Sequence, residues 1–187
     1  MIKRALLVVD IQNDYFPGGK WTLSGMNTAA DNAAKLVAAA RKVGDPVIFI
    51  QHESLEANAP YFLPGSPGIE IHASVQPRDG ESVVVKHQIN SFRDTELKAI
   101  LDRKGIKSLV VCGAMSHFCV DAAVRAADDF GYAVTLIHDA CATHDLEFNG
   151  TKIPAAQVHA AFMTALGQGY ATALTTAEFL KQEAKAA

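Results

Sequence analysis

The chain has 187 residues, 49% of them hydrophobic and 20% charged, with a formal net charge of −3. A chain of this length can bury about 70% of its unfolded surface in one domain, here expected over residues 1–187, and its composition excludes disorder and low complexity. No block of like charge points to nucleic acid or an anionic membrane, and no apolar run approaches the roughly 18–20 residues of a membrane span. The first apolar run, Ala5–Val9, is too short for a signal-peptide core, so a cytoplasmic location is expected.

Strand-like and helix-like segments alternate along the chain. Ala5–Val9 reads as a strand ending in Asp10, followed by the turn-rich Phe16-Pro17-Gly18-Gly19. In Thr28–Val43, Ala29, Leu36, Val37 and Ala40 recur at helical spacing, and Gly44 and Pro46 close the helix. Val47–Ile50 is a second strand. The long segment from Glu53 to Gly80 carries four prolines and no clear long element, which in a compact domain marks a functional loop. Ser82–Val85 is a third strand ending at Lys86, and Glu96–Arg103 a helix. Leu109–Cys112 is a fourth strand, Val120–Phe130 a helix, and Ala133–His138 a fifth strand. Pro154–Leu166 is a helix with proline near its first turn, Tyr170–Leu174 a last strand, and Thr175–Ala184 a terminal helix capped by Thr175 or Thr176.

Six short apolar strands alternating with helices predict an α/β fold, a doubly wound parallel sheet covered on both faces. Such sheets bind ligands beyond the carboxyl ends of their strands, where the strand order reverses. Strand one ends in Asp10, strand three in Lys86, and strand four runs into Gly113-Ala114-Met115-Ser116-His117-Phe118-Cys119. Each residue alone has an ordinary reading: a turn aspartate, a solvated lysine, a small core thiol. Placed together by three strands, they form a nucleophile set. Cys119 opens a helix, whose dipole favours a thiolate, as does a lysine beside it. Asp10 can take the thiol proton and later return it to a leaving group. Backbone N–H groups of the turn before Cys119 face the position of an oxyanion.

The three cysteines, 112, 119 and 141, are spaced by seven and twenty-two and match neither a disulfide framework nor a zinc motif. Cys112 reads as core. Cys141 lies after strand five with nothing beside it to activate it.

These residues carry a resemblance. Val9-Asp10-Ile11-Gln12-Asn13-Asp14-Tyr15-Phe16 resembles the first motif of the isochorismatase-like cysteine hydrolases, Val84-Val85-Lys86 with Asn90-Ser91-Phe92 the second, and Val111 to Val120 the third, nucleophile-bearing motif. His138-Asp139-Ala140-Cys141-Ala142 is similar to the family's segment after strand five. The resemblance extends from Leu6 to about Leu180. It implies a Rossmann-like, three-layer sheet of order 3-2-1-4-5-6, with strands one and four adjacent across the reversal point. It also implies the triad Asp10, Lys86 and Cys119, a cis peptide at Ala114–Met115, and an oxyanion hole from the N–H groups of Met115 and Cys119. The implied reaction is hydrolysis of a small-molecule amide through a thioester on Cys119. A homodimer or homotetramer is expected on the same ground.

Within the family, some vinyl-ether hydrolases acting on isochorismate lack the cysteine, so Cys119 favours C–N cleavage. Nicotinamidases hold a divalent metal through an Asp-x-His after strand two and a further histidine. Here that segment reads Ile50-Gln51-His52-Glu53-Ser54, and Tyr61 or Phe62 stands at the further position. No metal and no cofactor is therefore expected. The His52-Glu53-Ser54 segment and Met115-Ser116-His117 resemble those of the metal-free, streptothricin-hydrolase-type amidases. A non-enzymatic alternative is a ligand-binding or redox-sensing domain in which Cys119 is oxidised. The expected substrate pocket comprises Phe16, Trp21, His52, Tyr61, Phe62, Phe92 and His144, an apolar wall suited to a small planar or cyclic amide. Phe118 reads as core packing, and His117 as a brace for its turn.

Overall fold

The computed structural model describes residues 3–186. In chain order it contains β1 (Arg4–Val9), α1 (Met26–Val43), β2 (Val47–His52), β3 (Ser82–Lys86), α2 (Leu97–Lys104), β4 (Ser108–Ala114), α3 (Cys119–Asp129) and β5 (Ala133–Ala142). There follow β6 (Leu146–Phe148), β7 (Thr151–Ile153), α4 (Ala155–Gly169), β8 (Thr172–Leu174) and α5 (Thr176–Ala186). Six strands form one sheet in the order β3-β2-β1-β4-β5-β8, every neighbour parallel. With β8 as the sixth strand of the sheet, this is the order 3-2-1-4-5-6.

Successive residues of a strand point to opposite faces, and both faces here are covered. Leu6 and Val8 of β1 enter one core with Ala29, Ala33, Leu36 and Val37 of α1 and Phe179 of α5. Ala5, Leu7 and Val9 enter the other, with Leu97 and Leu101 of α2, Val120 and Val124 of α3, and Met163 and Leu166 of α4. The alanines of α1 let that helix lie close on the sheet. Gly44 ends it in a left-handed conformation, its N–H donating to the carbonyls of Ala40 and Arg41.

β1 and β4 pair directly, Val9 opposite Gly113. Gly113 has φ of 128°, and a Cβ there would lie 1.9 Å from the Val9 carbonyl oxygen, so only glycine fits where the two strands meet. Beyond it the register of β4 against β5 shifts between Val111 and Gly113, and β5 continues to Ala142, four residues past its expected end. The antiparallel hairpin β6–β7 was not expected from periodicity. Its three-residue strands are too short to show alternation. Asn149-Gly150, with φ of 49° and 79°, was the available signal, since a type I′ turn requires such a pair. No helix among the described residues is long and apolar enough to cross a membrane.

Candidate active site

Four strand ends converge beside the β1/β4 crevice. Asp10 follows β1 with a left-handed φ of 49°, His52 ends β2, Lys86 ends β3, and Cys119 opens α3 after β4. Neighbouring strands lie about 4.8 Å apart, so β3 is roughly 10 Å from β1, and only a long side chain spans that gap. Lys86 does so while wholly buried. Its Nζ lies 2.8 Å from Asp10 Oδ2 and 3.2 Å from Cys119 Sγ. It also lies 3.1 Å from His52 Nδ1 and 3.1 Å from the Gln88 carbonyl.

Asp10 is 0% exposed; its Oδ2 is paired with the Lys86 ammonium at 2.8 Å, and among the described residues its Oδ1 has no hydrogen-bond partner. An unsatisfied buried carboxylate oxygen is costly in structural terms alone. Here it stands open beside a thiol.

The thiol departs from what its helix-start position suggests. Cys119 is 5% exposed, and its pKa is pushed up to about 12, first by burial and then by the facing Asp10 carboxylate; Lys86 pulls the other way. Desolvation and the like charge of a thiolate beside a carboxylate outweigh the ammonium. The resting group is therefore a protonated thiol, not a standing thiolate. Lys86 is held above its usual value despite burial, by Asp10 and Cys119. His52 is lowered to about 4, first by burial and then by Lys86, so its neutral Nδ1 accepts from the ammonium.

The turn before Cys119 is pinned at several points. The Ala114–Met115 peptide is cis. The Met115 carbonyl accepts from the N–H groups of Phe118 (3.0 Å) and Val120 (3.2 Å), and Ser116 N–H donates to the Ala142 carbonyl (2.9 Å). Among the described residues, the N–H groups of Met115 and Cys119 have no acceptor. His117 braces the turn through Nδ1, 2.6 Å from Thr143 Oγ1.

The expected pocket residues separate. Trp21 packs on Tyr61 with ring centroids 4.1 Å apart, and Tyr61 meets Phe62 at 5.6 Å. His144 lies 5.3 Å from Trp21, and His52 5.8 Å from Phe62. These five form a linked aromatic wall. Phe16 stacks on His72, centroids 3.6 Å apart, and lines a cavity of about 590 Å³ together with Tyr61 of the wall. Phe92 packs against Phe130 and Tyr132 at the C-terminal end of α3, whereas Cys119 opens that helix. Phe118, read as core, is 39% exposed and covers His117 instead. Cys112 and Cys141 are buried strand residues with raised pKa values, both first through burial.

Three residues passed over by sequence reasoning complete the site. Tyr15 is 2% exposed and packs 4.8 Å from Phe62; its hydroxyl is held well above its usual pKa by burial, then by Cys119 and Asp10. Gln12 donates from Nε2 to the carbonyls of His52 and Ile69 and accepts the His52 N–H. Asp14 accepts the N–H of Lys20 through Oδ1 and that of Phe62 through Oδ2. All three lie in the Asp10–Phe16 motif, where a polar residue within an apolar stretch was the signal. Among the described residues, no group of three His, Cys, Asp or Glu side chains is placed to hold a metal ion.

Known proteins resemble this chain over most of its length. The isochorismatase domain model matches residues 4–178. An uncharacterised isochorismatase family protein of Bacillus subtilis is 51% identical over 177 residues, which is 95% of this chain and 98% of that protein. Streptothricin hydrolase of Streptomyces noursei is 38% identical over 88% of this chain, and the match spans 59% of its own length. A crystal structure of an isochorismatase-type hydrolase from Oleispira antarctica superposes with a TM-score of 0.93 at 54% identity, covering 96% of each chain. The chain belongs to the isochorismatase family of hydrolases.

Proposed function

We propose that this protein is a cysteine amidohydrolase that cleaves a C–N bond of a small molecule through a thioester on Cys119. The observation that carries the reading is a fully buried carboxylate and a buried thiol with one ammonium touching both, 2.8 Å from Asp10 Oδ2 and 3.2 Å from Cys119 Sγ. In the first step Sγ bonds to the amide carbon while Asp10 takes the thiol proton. The carbonyl oxygen gathers negative charge between the Met115 and Cys119 N–H groups. Asp10 then gives the proton to the departing nitrogen. Water attacks the thioester by the reverse sequence, with Asp10 as base.

The raised pKa of Cys119 fits this order. Proton transfer accompanies attack, so no free thiolate has to persist in a desolvated site. Lys86 keeps a constant positive charge as negative charge passes between carboxylate and sulfur. The wall of Tyr15, Trp21, Tyr61 and Phe62 suits a flat substrate. Streptothricin hydrolase, at 38% identity, is a relative with a named hydrolytic activity.

The test is a panel of small amides followed by intact mass analysis. An acyl adduct on Cys119 is expected, and Cys119→Ala should lower turnover by at least about 10³-fold with the fold retained. Full turnover in Cys119→Ala overturns the reading. If that turnover is on isochorismate, vinyl-ether hydrolysis replaces it.

A further inference from the structure

Ser116 takes no part in the proposed chemistry, yet it is 0% exposed in the middle of the nucleophile turn. Its Oγ lies 2.8 Å from His159 Nδ1 on α4 and 3.2 Å from the Ala142 carbonyl on β5. Its N–H donates to that same carbonyl at 2.9 Å. A serine hydroxyl has one proton. When Nδ1 carries the ring proton, it donates to Oγ and leaves Oγ–H free to donate to Ala142; in the other tautomer Oγ–H donates to Nδ1, and in both the His159–Ser116 contact is kept. Burial lowers the pKa of His159, so at neutral pH the ring is uncharged and carries one N–H.

The consequence reaches the peptide before Ser116. The Met115–Ser116 peptide plane is held on both edges, its carbonyl by the N–H groups of Phe118 and Val120 and its N–H by Ala142. The serine side chain adds a third anchor, to a helix that packs outside the cleft. Among the described residues, the Met115 N–H of the preceding peptide and the Cys119 N–H have no backbone acceptor. An oxyanion donor is effective only when it is aimed before charge develops, and small misplacements are costly.

We infer that His159 is a positioning residue: through Ser116 it aims the Met115 N–H at the oxyanion formed during acyl transfer to Cys119. This rests on the acyl-transfer reading above. It makes a distinction that a purely structural contact would not make. Acylation by p-nitrophenyl acetate forms the Sγ–C bond, passes through an oxyanion and expels p-nitrophenolate, the thiol proton going to Asp10. Alkylation by iodoacetamide forms an Sγ–C bond by displacement of iodide and has no oxyanion.

Both rates at Cys119 are to be measured at pH 8 by peptide mass, with Cys119→Ala as the blank. In His159→Leu, acylation should fall about tenfold or more while alkylation stays within about twofold. His159→Asn, whose amide N–H reaches Oγ, should recover most of the loss. Ser116→Ala should reproduce it, and it reads the same contact should His159→Leu not fold. Equal acylation of wild type and His159→Leu overturns the inference alone. So does a matched fall in acylation and alkylation, which marks a general disturbance of the thiol. If wild-type Cys119 fails to acylate, the acyl-transfer reading and this inference fall together.

Discussion

Lys86 has three N–H donors and four acceptors within reach: Asp10, His52, the Gln88 carbonyl and Cys119. While the thiol keeps its proton, the other three acceptors satisfy the ammonium. As negative charge moves to sulfur, one donor can turn to it. His52 belongs to this exchange: it is the neutral acceptor that holds Lys86 in place, although its position at the end of β2 suggested only a pocket wall. His52→Phe removes the acceptor and should lower kcat/KM by roughly 10–100-fold, the equivalent of about 1.5–3 kcal/mol for a hydrogen bond to a charged group. His52→Gln, which keeps an acceptor oxygen, should lose less. Steady-state kinetics on any amide found by the panel decides it. The thiol makes a second prediction at this scale. Because burial pushes Cys119 up to about 12, its alkylation in the unliganded protein should keep rising through pH 10. A plateau near pH 7–8, as for an activated thiolate, would contradict the resting state described above.

At the scale of elements, the long loop between β2 and β3 is held to the site by a buried carboxylate rather than by secondary structure. Asp14, 4% exposed, accepts from the backbone of Lys20 on one side and of Phe62 on the other. A Cβ on Gly68 would lie 2.2 Å from its carboxylate oxygen, so glycine lets the loop close over it. Gln12 adds the carbonyls of His52 and Ile69. Asp14→Ala leaves two backbone donors without acceptors and should cost about 1–3 kcal/mol, read by urea denaturation. It should also raise KM, since Tyr61 and Phe62 ride on that loop. The last helix shows the same use of side chains at an end. Thr175 Oγ1 accepts the Glu178 N–H and Glu178 accepts the Thr175 N–H, a capping box that starts α5. Asp139 accepts from Thr176, tying the helix to β5.

Across the whole molecule, buried titrating groups set a pH window for stability. His52 is lowered to about 4, and His72, His117 and His159 are also lowered, each first by burial. Folding disfavours their protonation, so their contribution is present above about 6.5 and is lost as pH falls toward 4. Cys119 and Cys141 are pushed up to about 12, each first by burial. Their contribution is present below about pH 9 and is lost as pH rises toward 12. Thermal stability should therefore peak between about pH 6.5 and 9 and fall on both sides. A maximum near pH 5, or a rise beyond pH 10, would contradict this.

The sheet was legible in the sequence because buried parallel strands are short apolar runs and helices repeat every 3.6 residues. Asp10, Lys86 and Cys119 could be singled out for the same reason, since each is a polar or reactive residue at the end of such a run. What the sequence by itself determined is therefore the order of elements and the chemical groups that their ends carry. The tertiary structure decided the rest, because it depends on distance and burial between residues far apart in the chain. It placed Lys86 across β2 to reach β1, turned His52 into its acceptor, packed Phe92 against the end of α3, and brought Ser116 to His159. It also reversed the expected state of Cys119: a helix start favours a thiolate, but only packing shows how little water reaches the sulfur and how closely a carboxylate faces it.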